Sequence, residues 1–152
     1  MIYIAVTVKD SHVGGKGLFV DEPIKKGQKI LKFDGPIVSW GEAVKRGREN
    51  HVVPIALNKY VDIGERESLV NHSCDPSMGF SDEATLIALR DLHTGDEITF
   101  DYSLVTADGW TMHCKCGSKE CRHIISDYAD LSDSIKEKYR AIAPPWILRL
   151  KQ

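Results

Sequence analysis

Four cysteines constrain this chain more than any other feature. Cys114, Cys116 and Cys121 form a Cys-x-Cys-x4-Cys cluster, and the remaining thiol, Cys74, lies far upstream. Lys115, Lys119, Glu120 and Arg122 crowd the cluster with charge, which argues against three cysteines buried simply as small apolar residues. Three thiolates are one short of a closed tetrahedral zinc site, and Cys74 completes the set without stranding a thiol. A set in which His72, His113 or His123 replaces Cys74 is the alternative. If Cys74 shares an ion with the late three, the loop around residues 114–121 must fold back over the segment that carries Cys74. Metal binding then couples to the ordering of that junction.

The segment in question is Asn71-His72-Ser73-Cys74-Asp75-Pro76-Ser77. An amide, an imidazole, a hydroxyl, a thiol and a carboxylate stand together here. Pro76 disfavours helical geometry at Asp75, so the spacing predicts a loop leaving Val70. Polar side chains in such a loop need partners, which a ligand site would supply.

Around these motifs the chain reads as mainly β with minor α. Ile2, Ile4, Val6 and Val8 alternate as in a strand. Gly14, Gly15 and Gly17 suit a bent hairpin, because neither a Walker loop nor a Gly-x-Gly-x-x-Gly fingerprint is present. Further strands are expected at 28–33, 52–57, 60–63, 85–89 and 97–102, with turn residues between them and no βαβ rhythm. Ser39-Trp40-Gly41-Glu42 has the form of a capping box and opens a helix to about Glu49. Ile135, Tyr139 and Ile142 recur at helical spacing from Ser132 to Ala143, where Pro144-Pro145 stops the helix.

With 152 residues and 42% hydrophobic content the chain can bury a core as one unit. The formal net charge of −2 lacks the basic bias of a nucleic-acid binder and is compatible with a basic protein or peptide as partner. No apolar run approaches the ~20 residues of a membrane span. The first ten residues lack the basic region and cleavage site of a secretory signal. An intracellular location, nuclear or cytoplasmic, without structural disulfides is therefore expected.

Four motifs in order resemble the SET-domain protein-lysine methyltransferases. They are Gly15-Lys16-Gly17, Asn71 to Pro76, Gly95-Asp96-Glu97-Ile98-Thr99-Phe100-Asp101-Tyr102, and Cys114-x-Cys116-x4-Cys121. The resemblance implies a SET fold of several small curved sheets with a knot-like crossing at the active site. It divides the chain into a SET domain over 1–105, a post-SET zinc segment over 106–125 and a C-terminal helical tail over 126–152. In that family the cysteine of the Asn-His-Ser-Cys loop is the fourth zinc ligand, here Cys74. The resemblance also implies that Gly15, Lys16, Gly17, Asn71, His72, Tyr102 and Lys115 bind S-adenosylmethionine. Tyr102 matches the catalytic tyrosine, and Phe100 the position that sets how many methyl groups are added. The expected substrate is a lysine in a histone or other chromatin-associated basic protein. A silent SET-like module that holds a lysine-bearing peptide or scaffolds a partner is the alternative. Ser68, Leu69, Phe33 and Ser77 depart from residues frequent in the family.

The residues fit such chemistry on their own terms. A lysine amine, with pKa near 10.4, must lose its proton before it attacks. Phe100 and Tyr102 are expected to share one face of a strand. Phe100 offers no hydroxyl to hold water or the amine, so higher methylation states are expected to be permitted. His72 reads as cofactor scaffold and not as a base. Asp75, Asp96, Glu97 and Asp101 read as solvated acids that help attract a basic substrate.

Overall fold

The structure is a computed structural model that describes residues 1–150. Twelve short strands and three short α-helices make up the regular structure of the described residues. They sort into small sheets.

The first hairpin pairs β1 (Val6–Asp10) with β2 (Lys16–Val20), antiparallel, with Val6 opposite Val20 and Asp10 opposite Lys16. Its bend runs through Gly14 (φ 142°) and Gly15 (φ 58°), left-handed conformations that glycine adopts without a Cβ clash. The strand expected from Ile2 begins only at Val6. Residues 1–5 run alongside β3 (Lys29–Lys32), with Tyr3 donating to the Ile30 carbonyl and Lys32 to that of Met1.

A second sheet joins β4 (Ile37–Val38), β6 (Lys59–Asp62) and β5 (Val52–Ala56) in that order, all antiparallel. Between β4 and β5 lies α1 (Trp40–Lys45), whose capping box forms as read: Ser39 Oγ accepts from Glu42 N, and the Glu42 carboxylate accepts from Ser39 N at 2.7 Å. The helix stops short of Glu49, because Gly47 turns at φ 63° and residues 49–51 re-form as a 3₁₀ turn.

The central sheet, β3, β9 (Thr85–Ala88) and β8 (Met78–Phe80), supplies much of the core, including Ile30, Leu31, Met78, Phe80, Leu86 and Ala88. Asn71–His72 is not a loop but β7, paired in parallel with β10 (Thr99–Phe100), so that His72 sits opposite Phe100. This long-range pairing brings the two most polar motifs side by side. Residues 102–105 form a 3₁₀ turn, so the expected strand over 97–102 shrinks to two residues.

The last hairpin, β11 (Met112–His113) with β12 (Ile124–Ile125), flanks the late cysteines. The tail follows as α2 (Asp133–Tyr139), capped by Ser132, and α3 (Pro145–Leu148). Helix α2 ends before Ile142, whose carbonyl instead accepts from Phe80 N at 2.8 Å on the edge of β8. Trp146 and Ile147 are buried in the main core, each contributing about 2 kcal/mol by burial. The tail expected over 126–152 is thus described to Leu150, and residues 151–152 lie outside the described residues.

Candidate active site

Tyr102 and Phe100 form one end of a cavity of about 420 Å³. Its walls are largely aromatic and aliphatic: Phe33, Trp40, Val53, Tyr60, Val70, Val105 and Trp110, with Ser68 and Thr106 among them. Glu49, Glu67 and Asp108 also line it, and no lysine or arginine does. Phe100 meets the rings of Phe33 and Phe80 edge-on at 5.5 and 5.9 Å, and that of Tyr102 at 4.9 Å. The two residues do share this wall, though not as neighbours on one strand, since Tyr102 opens the 3₁₀ turn.

The Tyr102 hydroxyl donates to the Val70 carbonyl at 2.7 Å. Burial, with the Glu97 charge nearby, pushes this phenol above its ordinary pKa, so it remains a protonated donor. Its backbone N–H donates to His72 Nδ1 at 3.0 Å, and His72 Nε2 lies 3.3 Å from Cys74 Sγ. Burial pushes the imidazole down to about 4, against the opposing pull of Asp101. A neutral ring wedged between a backbone amide and a thiol is held in place by both its nitrogens.

On the far side of β7, the Asn71 amide donates to the Lys16 carbonyl at 2.9 Å and to Glu97 Oε1 at 2.8 Å. Glu97 Oε2 accepts from Ser11 Oγ at 3.0 Å. A Cβ added at Gly17 would overlap the Glu97 carboxylate and crowd Asn71, whereas at Gly14 or Gly15 it would meet nothing within 4 Å. The hairpin backbone is therefore sealed at Gly17 and open at Gly15, with Lys16 exposed. Lys115 is exposed as well, and its loop is tied to the same hairpin by His12 Nε2, 3.0 Å from the Cys116 carbonyl. Open glycine backbone, a positioned amide and an exposed loop residue fit an adenosyl ligand bound through main-chain groups.

The Sγ atoms of Cys74, Cys114, Cys116 and Cys121 all lie within 4.8 Å of one another. The Cys74–Cys114 separation is 3.7 Å, close to the edge of about 3.8 Å expected for four sulfurs around a metal at ~2.3 Å. Such a donor set can hold a metal ion. His113 and His123 are exposed and outside it, and His72 touches only the Cys74 sulfur.

Two acids in the Gly95–Tyr102 motif behave against expectation: Glu97 is half-buried and engaged by Asn71 and Ser11, and Asp101 lies deeper still. Asp101 is 0% exposed, not solvated. Arg122 grips it with two nitrogens at 2.7 and 2.8 Å, and the Tyr139 hydroxyl donates to it at 2.8 Å. Burial disfavours the Arg122 charge, but the hydrogen bonds that Arg122 donates to the Asp101 carboxylate, and the charge of that carboxylate, outweigh it and raise the Arg122 pKa. Reading the sequence missed Arg122, Tyr139 and His12. Arg122 had a signal, being the basic residue directly after the last cysteine; Tyr139 had none beyond its place on the apolar face of α2. Ser77, another departure, is buried and satisfied: its hydroxyl accepts from Thr99 N at 2.9 Å and donates to the Glu97 carbonyl at 3.2 Å.

Small antiparallel sheets folded around this junction are the architecture of a SET domain, and the sequence profile of the SET domain matches residues 15–103. The chain belongs to the SET domain family. It is 29% identical over 139 residues to the histone-lysine N-methyltransferase trithorax of Drosophila virilis, an alignment covering 80% of this chain and 4% of that protein. It is 26% identical over 125 residues to the histone-lysine N-methyltransferase ASHH1 of Arabidopsis thaliana, covering 70% and 25%. The chain thus spans a quarter or less of the length of these relatives. A solved structure of a humanized mutant of the Chaetomium thermophilum Polycomb Repressive Complex 2, bound to an inhibitor, superposes with a TM-score of 0.55 at 25% identity, covering 65% of this chain and 15% of that one. Among the described residues no helix is long and apolar enough to cross a membrane.

Proposed function

We propose that this chain is a protein-lysine N-methyltransferase that uses S-adenosylmethionine, acts on a histone or other chromatin-associated basic protein, works in the nucleus where such substrates lie, and carries one structural zinc ion on Cys74, Cys114, Cys116 and Cys121. The observation that carries the reading is the place of Tyr102. Its hydroxyl is fixed on the Val70 carbonyl in the wall of an apolar cavity, one residue from the Asn71–His72 segment that meets the glycine hairpin. Within the proposed division, 1–105 forms the pocket, 106–125 its metal-held edge and 126–152 a tail on the same body.

S-adenosylmethionine supplies a methyl group on an electron-poor sulfonium. Gly15, with Lys16 beside it, would offer it open backbone, and Gly17 would serve by letting Glu97 and Asn71 pack close. Asn71 and His72 would shape the adenosyl side, and Lys115 would contact it by its main chain. The chain's own task is to deliver a neutral amine in line. Desolvation between the apolar side chains around Tyr102, together with the positive charge of the sulfonium, would disfavour the ammonium and lower the pKa of an entering lysine. Glu49 and Asp108 in the cavity wall attract a basic peptide before its lysine enters, while the Glu67 carboxylate is paired with the Met1 ammonium at 2.9 Å. The Tyr102 hydroxyl keeps its lone pairs for the amine while its proton is engaged by Val70. Holding the amine in line supplies several kcal/mol of the barrier reduction. The bare ring of Phe100 leaves room for an already methylated amine.

Incubating the protein with core histones and labelled S-adenosylmethionine tests the reading. Wild type is expected to label a histone, and Tyr102→Phe to lose about a hundredfold of the rate, as on removal of one positioned hydrogen-bonding group. A wild type that binds S-adenosylmethionine but labels no histone, or an undiminished Tyr102→Phe, would overturn it.

A further inference from the structure

We infer that the C-terminal tail is built into the active site, with Tyr139 acting through Asp101 as a positioning residue for Tyr102. The inference rests on Tyr102 being the catalytic residue proposed above. Tyr139 lies outside the matched residues 15–103, so the family match assigns it nothing.

Asp101 stands between Phe100 and Tyr102, and its side chain accepts from Ser103 N at 3.0 Å, capping the 3₁₀ turn that Tyr102 opens. Its other partners come from elsewhere. Arg122 belongs to the cysteine loop, where its own N–H lies 3.4 Å from Cys74 Sγ, and Tyr139 to α2. A carboxylate has about four acceptor sites. Ser103 N, two Arg122 nitrogens and the Tyr139 hydroxyl occupy that number, which leaves the group no freedom to rotate. Without Tyr139 the carboxylate would be held from two directions only, by Arg122 of the cysteine loop and by Ser103 of the turn itself. Arg122 also grips the turn at Ser103 Oγ (3.1 Å), so that the group could follow a movement of the loop. A third direction, from a helix anchored separately, removes that freedom.

The tail is anchored well enough to serve. Phe80 N donates to the Ile142 carbonyl, and Gly79 has no room for a Cβ against Ile142. Tyr139 is 1% exposed. Burying its hydroxyl costs free energy that a phenylalanine would avoid, and Arg122 already balances the Asp101 charge. What the hydroxyl adds is direction. The fixed carboxylate holds the start of the turn, and with it the Tyr102 N–H that meets His72 Nδ1.

Tyr139→Phe removes only the hydroxyl. Site-resolved amide exchange is expected to speed up about tenfold at residues 102–105 while the β1–β2 hairpin exchanges as in wild type. In steady-state methylation of histones kcat should fall about fivefold, with both KM values within about twofold. Arg122→Lys, which keeps the charge but loses the fork, should reproduce the pattern at unchanged metal content, and exposed Lys138→Ala should match wild type. Unchanged exchange at 102–105, or a rise spread evenly over the chain, would overturn the inference. If wild type methylates nothing, the functional proposal fails, and the exchange result still decides the positioning role either way.

Discussion

Phe100 presents a bare ring to the Tyr102 ring 4.9 Å away, packed edge-on against Phe33 and Phe80. If the cavity receives a lysine as proposed, a hydroxyl added to this lining ring would stand near the amine and hold it or a water molecule in one orientation. Phe100→Tyr is therefore expected to shift product from higher toward mono- and dimethyl-lysine, with turnover for the first methyl retained; mass spectra of a histone peptide at enzyme excess would show otherwise if the distribution did not move. Asp101 teaches a different lesson. In sequence it sits in an acidic run and reads as solvated, because its partners lie 21 and 38 residues downstream. Burial was not legible, since nothing local distinguishes a carboxylate that will meet an arginine from one that will meet water. Asp101→Ala leaves Arg122 partly buried and unpaired. Because the Arg122 side chain is still 17% exposed, the loss should fall at the lower end for a broken buried pair, about 3 kcal/mol, read from denaturant midpoints at constant m.

Elements defined by local chemistry were legible, and those defined by distant pairing were not. The capping box of α1 is a four-residue signal, and the structure forms it; the helix end was misread because Gly47 outweighs the helical residues beyond it. β7 was unreadable as a strand: two polar residues before a proline segment carry no periodicity, and their partner β10 comes from another part of the chain. The cap has consequences for the site, since Trp40 at the start of α1 lines the cavity. Ser39→Ala should cost about 1 kcal/mol at neutral pH. The Ser39 backbone N–H and hydroxyl hold the Glu42 carboxyl below its ordinary value of 4.5. A depressed folded-state pKa means that the carboxylate's share, of which Ser39→Ala removes only the hydroxyl's bond, is present above the unfolded value and lost as pH falls through the folded one. The Ser39 Oγ cap on Glu42 N does not titrate. Thermal melts should accordingly show the mutant closer to wild type at about pH 3 than at pH 7, and Glu42→Gln, which retains an acceptor, closer to wild type than Ser39→Ala at pH 7.

At the scale of the molecule, the cysteines and the core are separate structures. The main apolar cluster runs through the central sheet, the first hairpin and the tail, while the cysteines form a small group of their own with Ile125, touching Tyr102. The spacing of three late thiols with Cys74 was enough to anticipate their meeting, because the set leaves no thiol over; which side chains they would bring to the cavity was not, since Trp110 and Met112 carry no motif. These two stand before or on the hairpin that leads into the cysteine loop, and both line the cavity. A metal on the four sulfurs would thus brace a wall of the site without contributing to the core. It follows that removing it should disable the site before it unfolds the chain. Purified protein should contain close to one zinc per chain. After chelation, far-UV dichroism at 25 °C should be retained, because the core that supports the sheets is untouched. Methyl transfer should drop by about an order of magnitude or more and return when zinc is added, since only the loop that carries Lys115 and Arg122 has been released. Collapse of the dichroism together with activity would instead mean that the metal holds the fold as a whole, and that the apolar cluster cannot stand without it.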